Sequence, residues 1–600
     1  MKRSRHSHRP LASCTLALIA LGSAQCLLAR EGATAAGPRL APDETAAAPD
    51  GGTPKSVLDL QPFRQVTSSH VESDKGVPGA ATLINLDPSV NARYLLRVVW
   101  QDGPESSYDL ENPQPRSQSL VLDPKYLAGV ELVQGAARQP CKLFGDGPNS
   151  PLTAAGKLHA PYASLCDGKL FLRNAVKGHT TALEAQAEFV RTQVWGGEKV
   201  TVIFHHLLAD THRETSELHA AEDQGATATA RVHEGAPLEA LIDPKYAGRV
   251  LTPTGLGLAL DNVHGEVRPG AWYGASDNPG VYVSLIEPQF VDAAILSSYK
   301  ATVNALDSVE ASSLAYLVAF DLDRFNLGYA LGTQHPSVEW SEHIQPQMQD
   351  PRLPGPDGIG TIAPLVSTGL INPELARITV ATFAGGFKRV HGAFKYGPLA
   401  TVNHGSHYGF MENGVVFSKL QPQLSTVFVL NDGSVQMKTW EAQDNGLLAS
   451  IRHARQNGVP LVEFDERTHS TAPGPWVNQW GPGNWSGSED QKLRTMRAAV
   501  ALQSNVNKRF LIFAVFSDAT PSAMARVFQA YRCRYAMHLD MNALEHSYFA
   551  LYRRLGSQLL VEYLIDGMSE VDKMDSGSTV PRFLGYPDNR DFFYVTRRSQ

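Results

Sequence analysis

A glycine-rich segment of the chain combines small residues with basic side chains. The segment, residues 384–391 (AGGFKRVH), directly follows an apolar run, Ile378–Phe383, that is typical of a buried strand. Paired glycines at a strand end let backbone amides approach a ligand closely, and neighbouring basic side chains would attract an anion. A β-bulge or tight turn with solvated basic residues is the alternative. The candidate binding residues of this segment are Gly385, Gly386, Lys388, Arg389 and His391.

A histidine pair lies a few residues further along. Within residues 403–409 (NHGSHYG), His404 and His407 are three positions apart, and His391 precedes them. Three histidines could hold a metal ion, but no acidic residue stands at a diagnostic interval from them. The sequence therefore favours a polar loop that lines a substrate site, with no metal and no other cofactor.

A carboxylate follows the last long apolar run. Residues 535–542 (YAMHLDMN) place Asp540 and Asn542 at the end of a predicted strand. Ligands tend to bind at the carboxyl ends of strands, so both residues are candidates for a site. The alternative is that Asp540 caps a following helix, which the pattern predicts at Ala543–Arg554.

Strands dominate the predicted structure from about residue 236 onward. A hairpin is predicted where Thr426–Leu430 and Ser434–Trp440 flank Asn-Asp-Gly, because these turn residues tolerate positive φ angles. Buried or half-buried strands are predicted at Val281–Ile286, Ser313–Leu322, Ile378–Phe383, Gly414–Leu420 and Arg509–Phe516.

Two helices interrupt these strands. One is predicted at Gln443–Asn457 and ends at Gly458, a C-cap position. The other runs from Thr520 to about Arg532, with Thr520 as N-cap and proline at the first helical position. It lies between two predicted strands and predicts a βαβ crossover. The fold class is therefore α+β, with mixed, largely antiparallel sheets and a terminal crossover.

Residues 61–235 predict a separate N-terminal region of mixed α/β character and unknown role. Its patterns favour strands at Tyr94–Gln101 and Val200–Leu208 and a helix at Thr180–Val194. We expect residues 236–600 to form the domain that carries the glycine-rich segment and Asp540.

The N-terminus resembles an export signal. Four basic residues precede an apolar run that starts at Leu11 and ends in small residues, which is typical of a cleaved secretory signal peptide. We assign residues 1–29 to this signal and residues 30–60, rich in Ala, Gly and Pro, to a flexible linker. The predicted location is secreted or periplasmic, with no stable membrane span after signal removal.

The net charge excludes one class of function, and the cysteines predict a disulfide. The net charge of −7 becomes about −11 without the leader, which argues against a nucleic-acid-binding protein. Cys141 and Cys166 are predicted to form a disulfide in an exported protein, with Cys533 left over.

The segment from about 376 to 556 resembles the phosphodiester glycosidase family. The resemblance rests on Gly385-Gly386-Phe387 after a strand, on Arg497 at the start of another strand, and on Leu539-Asp540 after a strand and helix. Ala384 stands where the family commonly has Asn. The family's glycine-rich tail after the Asp is replaced by residues 541–545 (MNALE).

This resemblance implies an exported hydrolase that cleaves a sugar-1-phosphodiester bond in glycans or envelope polymers, so its partner would be a glycan or sugar-phosphate substrate. It implies Asp540 as base or nucleophile, with Arg497 and the basic side chains around His391 as the phosphate clamp. Further candidates are the carboxylates Glu545 and Asp518, the histidines His404, His407 and His546 as proton carriers, and Asn542 as a substrate-binding residue.

A second class of function stays open. The chain could be a non-catalytic protein that kept the fold and binds carbohydrate or the cell envelope. Its Trp-rich segment, residues 475–486, would suit stacking against sugars through Trp476, Trp480 and Trp485. An ordered surface loop packed on its own aromatic rings is the alternative for this segment.

Overall fold

The computed structural model describes residues 54–598, apart from 102, 147–149, 183, 186–216, 221–234, 253–254, 262, 264, 335–336, 342–343, 393, 395–398, 401–407, 480–491 and 557. All described residues belong to one compact unit, Pro49–Gln600. The strand expected at Val200–Leu208 and most of the helix expected at Thr180–Val194 lie outside the described residues.

Antiparallel strands form most of the described structure. The N-terminal strands are β1 Gln65–Glu72, β2 Pro78–Asn85, β3 Arg93–Trp100, β4 Ser106–Glu111, β5 Ser119–Val121, β6 Gly129–Gln134, β7 Ala137–Lys142, β8 Tyr162–Leu165, β9 Leu170–Arg173, β10 Glu217–Ala220 and β11 Arg249–Thr252. They form a six-stranded sheet in the order β1-β2-β3-β4-β9-β8, a three-stranded sheet β5-β6-β7 and the pair β10-β11.

The strands that follow build three larger sheets. They are β12 Tyr273–Gly274, β13 Val281–Ile286, β14 Ala315–Asp321, β15 Phe325–Ala330, β16 Thr379–Ala384, β17 Phe410–Glu412, β18 Val415–Ser418, β19 Ser425–Leu430, β20 Val435–Thr439, β21 Ile451–Gln456, β22 Pro460–Asp465, β23 Ser470–Pro473, β24 Thr495–Ser504, β25 Arg509–Ala519, β26 Tyr535–Met541, β27 Phe549–Leu555, β28 Gln558–Tyr563, β29 Lys573–Asp575, β30 Ser578–Val580 and β31 Phe592–Arg597.

The three sheets differ in size and share one hydrophobic core. Their strand orders are β12-β13-β14-β25-β24-β26-β22-β23, β15-β31-β16-β27-β28 and β18-β17-β21-β19-β20, and β29-β30 form a separate hairpin. Aromatic rings join the first two sheets face to face. Phe513 of β25 lies 4.7 Å from Phe383 of β16 and 5.4 Å from Phe549 of β27, measured between ring centroids.

Helices are few and short among the described residues. They are α1 Pro151–Lys157, α2 Ala293–Ser297, α3 Ser308–Ala311, α4 Pro373–Ala376 and α5 Pro521–Ala530, with 3-10 turns at Val57–Leu60, Pro244–Tyr246, Pro288–Phe290, Pro346–Met348, Ala442–Ser450 and Asp566–Val571. None of these helices is long and apolar enough to span a bilayer.

Helix α5 matches the start predicted from the sequence. Thr520 is its N-cap, and its hydroxyl accepts a hydrogen bond from the amide of Ala523 at 3.3 Å. The helix connects β25 to β26, but these two strands are not neighbours. Strand β24 lies between them and is antiparallel to both, so the largest sheet is antiparallel at this point.

Most predicted strands are present, whereas two predicted helices are wrong. The hairpin is β19–β20, and the five other strands predicted after residue 236 correspond to β13, β14, β16, β18 and β25. The helix expected at Gln443–Asn457 is a 3-10 turn followed by β21, and the helix expected at Ala543–Arg554 is a turn followed by β27. Both segments pair with strands on either side, and this pairing outweighs their local helical pattern.

The predicted disulfide between Cys141 and Cys166 is confirmed, with 5.6 Å between the Cα atoms.

A buried ion cluster joins the six-stranded sheet to β17. Arg173 of β9 lies 3.1 Å from Glu412 of β17, and Arg93 of β3 pairs with Asp109 at 2.5 Å. The N-terminal region is therefore tied to the rest of the unit by buried charge pairs.

Candidate functional site

Asp540 lies where the ladder between β24 and β26 is irregular. Arg497 is opposite Met541 and Ala499 is opposite His538. Strand β26 therefore has one more residue than β24 between these two pairs, which makes a β-bulge. Such a bulge re-aims side chains near a strand end. Asp540 lies within this bulged stretch and keeps 7 % of its surface exposed.

Asp540 is held by an arginine that the sequence analysis did not single out. Arg590, just before β31, donates from Nη1 to Oδ2 of Asp540 at 2.5 Å. Its Nε donates to Oε1 of Glu184 at 3.0 Å, and Lys388 lies 3.0 Å from the same oxygen. Its Nη2 lies 2.8 Å from Nε2 of His546. We call these five residues the Arg590 cluster.

The hydrogen bonds of His546 determine its tautomer. Its Nε2 faces Arg590, which can only donate, and its Nδ1 lies 2.7 Å from the backbone oxygen of Met541, which can only accept. This geometry places a proton on Nδ1 and turns Nε2 toward the guanidinium of Arg590. The ring therefore orients Arg590 through Nε2, and its expected role as a proton carrier stays a prediction.

The two carboxylates of the cluster have different electrostatic environments. Burial raises the pKa of Asp540 to about 6, although Arg590 opposes this shift. Burial would also raise the pKa of Glu184, but Arg590 and Lys388 outweigh it and lower the pKa well below the usual range. Glu184 is therefore a permanent anion that holds two cations, whereas Asp540 can change its protonation near neutral pH.

The glycine-rich loop is held next to β26 by buried polar side chains. The amide of Phe387 donates to Oδ1 of Asn457 at 3.0 Å, and Nδ2 of Asn457 donates to the backbone oxygens of His538 and Leu539 at 2.7 and 2.8 Å. Arg455 donates to the backbone oxygen of Phe387 at 2.9 Å. Asn457 thus joins this loop to the strand that carries Asp540.

The two glycines are required by this packing. A Cβ atom on Gly385 would lie 2.4 Å from a carboxylate oxygen of Asp591, and one on Gly386 would lie 2.4 Å from Oδ1 of Asn457. Asp591 itself accepts hydrogen bonds from Arg455 at 2.8 Å and from Tyr329 at 2.9 Å. The absence of side chains at 385 and 386 therefore lets Asp591 and Asn457 pack against the loop backbone. The predicted close approach of a ligand to these glycines stays a prediction.

The basic residues after the glycines point to different partners. Lys388 belongs to the Arg590 cluster and is buried. Arg389 is also buried but pairs with Asp357 at 2.8 Å and donates to the backbone oxygen of Ser337. His391 is half-buried, and its amide donates to the backbone oxygen of Lys388 at 3.0 Å. Lys388 therefore joins the glycine-rich loop to the cluster through Glu184.

Arg497 lies on β24, opposite Met541 at the end of β26. Its guanidinium is fully buried and donates to the backbone oxygens of Ala519 at 2.7 Å and Leu493 at 2.9 Å. It also lies 2.8 Å from the sulfur of Met541. The guanidinium paired with Asp540 is that of Arg590, and Arg497 instead ties the bulged end of β26 to its neighbours.

The other candidates lie around the cluster or outside the described residues. Asn542 follows β26 with a positive φ of 82°, and its amide donates to Met496. Glu545 is buried, and its backbone oxygen accepts from Arg582 at 2.5 Å. Asp518 is half-buried on β25. His404, His407, Trp480 and Trp485 lie outside the described residues, and Trp476 packs partly buried against the core.

Sequence reasoning missed Glu184, Arg455, Asn457, Arg590 and Asp591. One available signal was the polar run at residues 588–591 (DNRD), which stands directly before the apolar strand β31. Ala384 of β16 is opposite Phe592 of β31, so the glycine loop and this polar run meet at one end of the strand pair. Within residues that the structure describes, no group of three or more His, Cys, Asp or Glu side chains is arranged to hold a metal ion.

Comparison with known proteins gives little further information. No family model matches the chain, and no curated protein matches it. Among solved structures, the chain has a weak similarity to the catalytic domain of zebrafish N-acetylglucosamine-1-phosphodiester alpha-N-acetylglucosaminidase, auto-inhibited by its pro-peptide. The identity is 10 % and the TM-score 0.28, over 54 % of this chain and 85 % of that chain.

The cluster predicts a large effect of removing Arg590. The Arg590→Leu variant leaves Glu184 and Asp540 buried without their shared cation, so we expect the free energy of unfolding to fall by about 3–5 kcal/mol. Urea unfolding followed by circular dichroism measures this change. The control is Arg352→Leu, which removes an exposed arginine paired with Asp350 and should leave the unfolding midpoint unchanged. An Arg590→Leu protein as stable as the native one would contradict the role given to the cluster.

Proposed function

We propose that this chain is a hydrolase that cleaves the bond between a sugar's anomeric carbon and a phosphodiester oxygen, in glycan or cell-envelope polymers. The observation that carries the proposal is the buried carboxyl of Asp540, with a pKa of about 6, hydrogen-bonded to Arg590 at the edge of the glycine-rich loop. Such a carboxyl is mostly ionised at neutral pH and still basic enough to accept a proton or attack carbon.

The cations of the cluster suit a phosphate leaving group. When the bond from the anomeric carbon breaks, its electron pair stays on the phosphate oxygen, and the developing charge needs positive partners. Arg590 supplies a cation at Asp540, Lys388 supplies a second cation in the same cluster, and Glu184 holds both in position. Because phosphate is a good leaving group, the reaction needs less help from a general acid than ordinary glycoside hydrolysis does.

The surface of the site is consistent with substrate access from one side. Asp540, Lys388 and Arg590 retain 7, 6 and 5 % exposure, so each still meets solvent. Asn542 and His546 lie in the turn that follows β26, and both are half-buried. We therefore assign Asp540 as base or nucleophile, Arg590 and Lys388 as phosphate-binding cations, and His546 as the residue that positions Arg590.

The Asp540→Asn variant tests this assignment, because it keeps the shape of the side chain and removes its charge. On a panel of sugar-1-phosphodiesters we expect it to lower the hydrolysis rate by about 100-fold or more. The native rate should fall as the pH drops through about 6, since Asp540 then becomes protonated. A thermal melt checks that the variant is folded.

The matched control is Glu463→Gln. Glu463 is also a partly buried carboxyl whose pKa is raised by burial, but it lies on β22, beside the start of β26, roughly 17 Å along the strand from Asp540. This variant should keep the native rate and the native pH profile. A native protein that hydrolyses none of the substrates would exclude the hydrolase and favour the carbohydrate-binding protein instead.

We also propose that the protein is exported. The basic leader with its apolar run supports this location, and so does the Cys141–Cys166 disulfide, because disulfides persist mainly in oxidising compartments. Mass spectrometry of the secreted or periplasmic fraction should find a mature N-terminus between Gln25 and Ala36. Recovery of the chain with Met1 intact would show that the leader is not cleaved.

A further inference from the structure

An open pocket of about 660 Å³ lies beside the Arg590 cluster. It forms where residues 177–180 run alongside residues 587–589. The amide of His179 donates to the oxygen of Pro587 at 2.8 Å, and the amide of Asn589 donates to the oxygen of His179 at 3.0 Å. The described residues that line the pocket are Lys177, Gly178, His179, Thr180, Ala185, Lys573 and Pro587.

The same two segments build the pocket and the cluster. Ala185 of the pocket follows Glu184 of the cluster in the chain, and Pro587 is three residues before Arg590. The side chain of Asn589 also donates to Glu184 at 3.2 Å. The pocket and the cluster are therefore joined directly through residues 184–185 and 587–590.

The described residues that line the pocket carry positive charge. Lys177, His179 and Lys573 are the titratable side chains among its described lining residues, and no described carboxylate forms an ion pair with either lysine. The Nζ of Lys573 lies 4.1 Å from the centroid of the Tyr586 ring, and the ring of His179 meets the same tyrosine at 5.2 Å. Lys573 and His179 therefore both contact the ring of Tyr586.

Two described carboxylates close to the pocket, Asp588 and Glu184, are already paired with cations. Asp588 accepts two hydrogen bonds from Arg582, at 2.8 and 2.9 Å. Glu184 is bound by Arg590 and Lys388. Asp588 and Glu184 therefore do not compete for Lys177 and Lys573, which can attract an anion from solution, and the hydroxyl of Thr180 adds a further donor for the oxygens of that anion.

We propose that this pocket binds a phosphate group of a substrate that carries more than one phosphodiester. Substrate would place one phosphate at the Arg590 cluster and a neighbouring phosphate against Lys177, His179 and Lys573. The part of this proposal that concerns substrate rests on the proposed function. The anion site itself does not, since it follows from the charges and shape of the pocket.

Anion binding should be linked to proton uptake by His179. Burial lowers the pKa of this ring, and the nearby cations Lys573 and Arg582 lower it further, whereas Asp588 and Glu184 act in the opposite direction. A bound anion adds negative charge next to the ring and raises its pKa. Affinity for an anion should therefore increase as the pH falls from 8 to 6.

Sulfate is a suitable probe because its own charge is constant over this pH range. Isothermal titration calorimetry should show that the K177Q/K573Q double variant binds sulfate at least tenfold more weakly at this site. The control is Lys245→Gln, which removes another lysine stacked on a tyrosine, 4.8 Å from the Tyr246 ring, and should bind as the native protein does. His179→Gln should remove the pH dependence. A double variant that binds sulfate like the native protein would overturn the proposal.

Kinetics then test the link to substrate. The double variant should raise KM about tenfold for a substrate with two adjacent phosphodiesters and leave KM unchanged for a substrate with one. Equal KM changes for both substrates would contradict a second phosphate in the pocket. If the native protein hydrolyses neither substrate, the proposed function fails, and the sulfate titration still decides whether the pocket binds anions.

Discussion

The guanidinium of Arg590 joins three parts of the chain that are far apart in sequence. The three parts are Glu184, the segment that carries Asp540 and His546, and Arg590 itself. The guanidinium lies in a buried environment where each unpaired charge would cost several kcal/mol. The position of each carboxylate therefore depends on the same cation. Lys388 extends this network to the glycine-rich loop, so the loop, the end of β26 and the segment before β31 are held together.

This arrangement explains why two carboxylates bound to one arginine differ in their protonation. Glu184 has two cationic partners that outweigh its burial. For Asp540, burial outweighs Arg590, the amide of Met541 and Arg455, which all favour the charged form. The pKa of Asp540 consequently rises to about 6. Asp540 can therefore change its protonation near neutral pH, whereas Glu184 stays ionised and holds the cations in position. Carboxyl groups with shifted pKa values of this kind are common in active sites.

The sequence predicted most strands and several residues of the site, but it did not predict which of these residues contact each other in space. Asp540, the two glycines and Lys388 stand at ends of apolar strands, where a periodic pattern is easily recognised. Arg590 and Glu184 could not be connected to them, because their contacts depend on which strands meet in space. The helices expected at Gln443–Asn457 and Ala543–Arg554 were wrong for a related reason, since neighbouring strands on both sides determine their conformation.

The most direct test of the central claim is a crystal structure of the protein soaked with a sugar 1-phosphate. The account predicts that the phosphate lies within hydrogen-bonding distance of Arg590 or Lys388, with the anomeric carbon beside the carboxyl of Asp540. Sugar bound only against the Trp-rich segment at residues 475–486, with the Asp540–Arg590 pair unchanged, would contradict it.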